Sequence, residues 1–151
     1  EEFVVVERMI GTTERPAPVL SPERLLEFQR TADAVYVDPQ IIEFAVSIAA
    51  ASRDLAGAGL PEMARYVTFG ASPRASINMV LGAKALAFLR GRDYALPTDV
   101  RDLARDVLRH RLVLSYEALA DDVSPDDILD PLLAAIPLPE IAHPERGART
   151  P

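Results

Sequence analysis

At four places in the chain a proline follows Ser or Asp and opens a run with helical spacing of apolar residues: Ser21-Pro22, Asp38-Pro39, Ser72-Pro73 and Ser124-Pro125. Ser and Asp side chains accept hydrogen bonds from the unpaired N–H groups of a helix's first turn. Proline at the first helical position has no N–H to leave unsatisfied, and its fixed φ suits the helix. Each pair therefore predicts a helix start. At the fourth, Asp126 and Asp127 add negative charge where the helix dipole is positive.

The bodies behind these starts agree. Residues 22–34 place Leu25, Phe28, Gln29 and Ala32 on one face, and residues 39–54 do the same with Ile41, Ala45, Ile48, Ala49 and Ser52. Residues 73–90 are apolar almost all round, which suits a central helix. Gly82, Ala83, Ala85 and Ala87 leave room for neighbours there, and Gly91 stops the helix. Residues 98–112 give the clearest period, through Val100, Leu103, Ala104, Val107, Leu108 and Leu112, with Thr98 as the expected cap. Residues 3–10 form a short helix with Phe3, Val6 and Ile10 together. A last helix covers 125–136, and Pro131 inside it predicts a kink or a break.

Strand signals are weak. Tyr66-Val67-Thr68-Phe69 and Leu112-Val113-Leu114 can pair as a two-stranded patch, and no alternating βα pattern is present. The expected fold is all-α: a small helical bundle with at most a short two-stranded β patch. Residues 11–20 read as a linker, and residues 137–151, with four prolines and Gly147, as a loose tail. At 151 residues the chain has the size of one domain, or of a small domain with tails.

Several classes of function drop out. The chain has no cysteine, which excludes disulfides, thiol catalysis and Fe–S or Cys-zinc centres. His110 and His143 are too far apart in sequence to read as a metal-ligand pair, so no metal site is expected. The net charge of −7 argues against a nucleic-acid binder held by bulk electrostatics. Apolar stretches reach only about five residues, against the roughly 20 that a membrane helix needs. Glu1-Glu2-Phe3 lacks a basic leader, so the expected location is the cytoplasm. There is no phosphate-cradling GxxxxGK[ST] loop, and no GxSxG, HExxH or GxGxxG motif.

Charge is unevenly spread. Residues 72–115 carry a net +4, against −5 for residues 1–71 and −6 for 116–136. The basic block is where an anion would bind, unless its charges are the solvated faces of two helices. In the row Arg101, Arg105, Arg109, the acids Asp102 and Asp106 stand three residues before Arg105 and Arg109, which predicts a self-paired exposed face. His110 suits a helix C-terminus, and Asp121-Asp122 and Asp126-Asp127 read as a solvated turn and a helix start. Gly70-Ala71-Ser72-Pro73-Arg74 differs from these: it sets an arginine at the second position of a capped helix, where N–H groups and guanidinium can meet phosphate together. On physics alone, Arg74 covering nearby apolar surface is the competing reading.

Gly70-Ala-Ser-Pro-Arg-Ala-Ser76, with Ala85-Leu-Ala-Phe-Leu-Arg-Gly-Arg-Asp-Tyr94 and Asp106-Val-Leu-Arg-His-Arg-Leu112, resembles the C-terminal lid domain of the MoxR family of AAA+ ATPases. Ser124-Pro-Asp-Asp-Ile-Leu129 is similar to that family's last lid helix, and Tyr36-Val-Asp38 to its early lid turn. The resemblance covers roughly residues 3 to 136, with Arg105 and Pro131 unlike the usual pattern.

The resemblance implies a helical lid over residues 21–136, with residues 1–10 as the last helix of an α/β ATPase core that carries the Walker motifs. It makes Arg74 the second sensor, reaching the terminal phosphates of ATP, with Ser72 and Pro73 shaping the site. It implies ATP and Mg²⁺ as cofactors of the full-length parent and none for this chain alone, which would be inactive. It implies a chaperone-like, hexameric factor in maturation or metal insertion of client complexes. Its partners would be the α/β core, neighbouring ring subunits and a von Willebrand A domain protein. The alternatives are a stand-alone helical interaction domain and, disfavoured by the net charge, a helical DNA-binding module using residues 98–112.

Overall fold

The computed structural model describes residues 2–11 and 17–141, without the side chain of Arg8. The middle of the expected linker, most of the expected tail and His143 lie outside the described residues. Two compact units divide between Arg30 and Thr31. The first holds helix α1 (Glu2–Ile10) and most of α2 (Pro22–Asp33). Ser21 Oγ accepts from the Arg24 N–H at 3.2 Å, as the Ser-Pro pair predicts. The helical period of α2 is as expected, yet α2 has no buried residue.

The second unit is built on α3 (Pro39–Ala51), α5 (Pro73–Leu89) and α6 (Pro97–Leu108), with α5 between the other two. Shorter pieces complete it: α4 (Pro61–Ala64), α7 (Tyr116–Ala120), and α8 (Pro125–Ala135) against α6 and α3. Ile41, Ile48, Met79, Val100, Leu108, Ile128, Leu129 and Leu132 form the fully buried centre. Met79, Ala83 and Ala87 face inward, while Ile77 and Leu81 on the opposite side of α5 are exposed, so α5 is covered on fewer sides than its composition predicts.

All four proline pairs open helices where expected. Asp38 accepts from the Gln40 N–H at 2.9 Å. Ser124 and Asp127 exchange bonds in a capping box, and the Ser124 hydroxyl and then its N–H hold the Asp127 carboxyl below its ordinary value. Gly91 adopts φ +71 after Arg90, which lets Arg92 N–H turn back to the Ala87 carbonyl at 2.9 Å. The two strand runs pair as β1 (Val67–Phe69) and β2 (Val113–Leu114), antiparallel, with Val67 opposite Leu114 and Phe69 opposite Val113. Tyr36 and Tyr94 make an isolated parallel bridge that ties the approach of α3 to the α5–α6 connection.

Three local expectations are corrected. Thr98 is not the cap of α6; Leu96 holds that position and the helix starts at Pro97. The missing cap is replaced from the third helical residue, whose side chain, Asp99, accepts from the Leu96 N–H at 2.8 Å. Helix α6 ends at Leu108 rather than 112, and a 3₁₀ turn, Arg109–Arg111, follows it. Helix α8 does not break at Pro131 but runs on to Ala135, because Ile128 and Leu129 before the proline and Leu132 and Leu133 after it are all buried. Tertiary burial outweighs the lost backbone bond.

Replacing Pro131 by Ala should restore that bond and raise stability by about 1–3 kcal/mol. Thermal melting checks this; a lower melting temperature would mean that the proline ring's own packing matters more. Leu129→Ala, at a fully buried position of the same helix, should cost about 2–5 kcal/mol.

Candidate functional site

The basic block resolves into single side chains. Lys84 donates to the Asp33 carbonyl. Arg90 and Arg92 both reach Asp99, at 2.8 and 2.6 Å. Arg101 donates to the Ile136 carbonyl at 2.8 Å, and Arg111 to the Val107 carbonyl. Arg105 pairs with Asp130 at 2.6 Å, and Arg109 with Asp126 at 3.0 Å. The self-paired face expected on α6 is thus corrected: of its i,i+3 pairs, Asp106–Arg109 forms, at 3.5 Å, while Asp102 turns to Arg90 at 2.7 Å. The other acids come from α8, so the arginines lace α6 to α8 instead of facing an anion. Arg74 remains. It is exposed, and among the described residues its side chain makes no ion pair or hydrogen bond.

Arg74 is the second residue of α5. Pro73 precedes it at the first helical position, and Ser72 holds the N-cap in extended backbone, φ −73 and ψ 167. The Ser72 carbonyl accepts from the Ala75 N–H at 2.9 Å, but the Ser72 side chain makes no capping bond, contrary to the usual role of Ser there. So the three expected residues stand together, though the Ser72 hydroxyl makes no capping bond among the described residues.

What shapes this turn is a contact that the sequence does not advertise. Gly70 crosses the end of α3 so closely that a Cβ there would lie 2.2 Å from the Ser52 carbonyl oxygen. Ala71 N–H donates to Ser52 Oγ at 2.9 Å, and Arg53 Nη1 donates to the Ala71 carbonyl at 2.6 Å. Beside it Arg53, Pro73, Ser76, Ile77, Ile42 and Val46 line a groove of about 420 Å³ between α3 and α5. Gly70 at the head of the motif is the one sequence sign of the crossing; nothing around Ser52 announces its role.

The opposite end of α5 carries a buried charge. Asp99 has no exposed surface, and its oxygens receive Arg92 twice, Arg90 once and the Leu96 N–H. Burial alone would push this carboxyl up; the Arg92, Leu96 and Arg90 donors together outweigh it and hold it below the ordinary aspartate value. The chemistry here is structural, since every acceptor position points at a donor of the chain itself. Asp121 likewise accepts from the Tyr66 hydroxyl at 3.0 Å, and the neighbouring Asp122 adopts φ 55. Among the described residues no group of three His, Asp or Glu side chains is placed to hold a metal ion, and no helix is long and apolar enough to cross a membrane.

The helical unit with its one two-stranded sheet is an arrangement that comparison with known proteins places in a family. The AAA lid domain family matches residues 62–132. Chaperone MoxR1 of Mycobacterium tuberculosis is 39% identical over 152 residues, covering 100% of this chain and 40% of that protein. The chain belongs to the lid region of the MoxR-family AAA+ ATPases. Protein MoxR of Paracoccus denitrificans is 34% identical over 110 residues, covering 69% of this chain and 32% of that protein. A crystal structure from Cytophaga hutchinsonii carrying an ATPase designation superposes with a TM-score of 0.79 at 32% identity, covering 92% of this chain and 43% of that one. The chain therefore spans less than half the length of each of these proteins.

Two measurements test the geometry. Gly70→Ala should destabilise the lid by about 1–3 kcal/mol or more, because its new methyl would meet the Ser52–Arg53 backbone just after α3 and not a movable side chain. Asp99 sets an acid limit. Its lowered value means that its contribution is complete above the unfolded value of about 4 and is lost as pH falls through the folded one. The melting temperature should fall below about pH 4. In Asp99→Asn it should start lower, by about 3–5 kcal/mol of stability, with a flatter acid slope; an unchanged slope would show that other carboxylates set it.

Proposed function

We propose that this lid closes over ATP held by an α/β ATPase core and that Arg74 acts as its second sensor, meeting the terminal phosphates. The observation that carries the reading is the freedom of Arg74: every other cation of residues 72–115 is engaged within the chain. A guanidinium presented by the first turn of a 17-residue helix adds its planar donors to the positive end of the helix dipole. In phosphoryl transfer, negative charge is spread over the transferring group's oxygens, and positioned cations stabilise it. Arg74 supplies one such cation, and the braced turn supplies its placement. Any Mg²⁺ that accompanies ATP would be held with it by the α/β core that carries the Walker motifs.

The exposure of α1 supports the same reading. Phe3 is 78% and Ile10 81% exposed, an apolar face suited to packing in the α/β core whose last helix we take it to be. The relative called a chaperone supports a chaperone-like role. We extend it to a hexameric, cytoplasmic ring in which neighbouring subunits sense the lid. Its work would be maturation or metal insertion of client complexes, with a von Willebrand A domain protein as partner.

In the polypeptide that joins this lid to its core, Arg74→Ala should slow ATP hydrolysis about 10- to 150-fold, the range that a charge-assisted contact worth about 1.5–3 kcal/mol supplies. Arg74→Lys should substitute poorly, and the lid should melt at an unchanged temperature, since Arg74 makes no side-chain bond among the described residues. Unchanged turnover and ATP affinity in Arg74→Ala would sink the sensor role. Residues 1–151 alone should show no ATP turnover that a point mutation within them removes.

A further inference from the structure

The start of α5 is not held by its own cap. Ser72 stands at the N-cap without a side-chain capping bond, and Pro73 fixes its own φ and keeps Ser72 extended but holds neither polar group of Ala71. The constraint comes from the two residues that follow α3. Ser52, 1% exposed, accepts the Ala71 N–H at 2.9 Å and donates its own proton to the Ala49 carbonyl at 2.7 Å. Arg53 donates to the Ala71 carbonyl at 2.6 Å. Both backbone polar groups of one residue, three before Arg74, are thus gripped by consecutive residues of another element. Gly70 lets that grip close, because its backbone lies against the Ser52–Arg53 peptide.

We propose that Ser52 and Arg53 are positioning residues for Arg74, so that the C-terminal end of α3 sets where the sensor guanidinium sits. This rests on the sensor reading of Arg74. The grip is built on one donor and one acceptor, with the helix cap contributing none. A displacement of the α3 end is passed to Ala71 and, through the rigid Ser72-Pro73 step, to Arg74. Ser52 holds the turn from the buried side and Arg53 from the exposed side, so the two can be removed separately.

The test is a mutant cycle on ATP turnover in the polypeptide joining core and lid. Ser52→Ala and Arg53→Met should each lower kcat about 3- to 30-fold, as small misplacements of a catalytic group do. In an Arg74→Ala background neither should lower it by more than about twofold, because residues acting through one group are not additive. Ser52→Thr, which keeps the hydroxyl acceptor, should recover turnover. In residues 1–151 alone, Ser52→Ala should speed amide exchange at Ala71 while the centre of α5 stays protected. Arg53→Met carries the cycle should Ser52→Ala fold poorly, since Arg53 is exposed. Single variants with normal turnover, where Arg74→Ala is slow, would overturn the positioning role and leave the sensor standing. Equal losses in both backgrounds would overturn it too, by showing a general structural effect. An Arg74→Ala enzyme of normal rate would instead remove the sensor reading beneath it.

Discussion

A carboxylate with no exposed surface organises the larger unit. Asp99 is at the third position of α6, yet its partners are Arg90 and Arg92 from the end of α5 and the turn after it, and the Leu96 N–H just before α6. A buried, unpaired carboxylate is costly, so these three donors and the acid form together or not at all. Their joint formation closes the α5–α6 turn at one angle. Arg90 extends the set to Asp102, and Arg92 to the Tyr94 carbonyl, beside the bridge to Tyr36. Helix α5 is thereby fixed at its far end relative to α6 and to the chain entering α3.

Its near end is fixed in the same manner, by side chains of a neighbour. Ser52 and Arg53 take both polar groups of Ala71, and Gly70 removes the Cβ that would forbid the approach. Between the two ends, Met79, Ala83 and Ala87 bury one face against the neighbouring helices. A helix pinned at both ends and packed along its length moves as one piece with its neighbours. Arg74, exposed on its first turn, is then displayed at a defined place without making bonds of its own among the described residues.

Much of this could be read from the residues, and the reason is locality. Each Ser-Pro or Asp-Pro pair is its own complete signal, and all four start helices. The short apolar runs at 66–69 and 112–114 pair as β1 and β2 because they are too short for helices and lie at the ends of elements. Pro61 and Pro97 also start helices, but each follows a Leu, which has no capping group to give the signal. The cap of α6 is supplied from inside the helix by Asp99, whose burial depends on arginines seven and nine residues away. Pro131 misleads for the opposite reason: its local cost is real, and four buried aliphatics override it. At the candidate site, Arg74, Pro73 and Ser72 were legible as a motif. Ser52 and Arg53 were not, since a contact spanning 18 or 19 residues leaves no local pattern.

The charge distribution gains its meaning only from these long-range contacts. The sequence sets a basic block of +4 next to an acidic block of −6, and the block alone suggests an anion-binding surface. Folding brings α8 beside α6, so that Arg105 meets Asp130 and Arg109 meets Asp126. Asp99 and Asp102 absorb Arg90 and Arg92, and backbone carbonyls receive Lys84, Arg101 and Arg111. These exposed pairs contribute little stability singly. Their consequence is selective: they leave Arg74 as the cation of that block with no internal partner among the described residues. A diffuse basic surface would attract any polyanion. A single guanidinium on a braced helix start offers one cationic contact at one place, and selectivity of that kind is what the sensor role proposed for Arg74 would use.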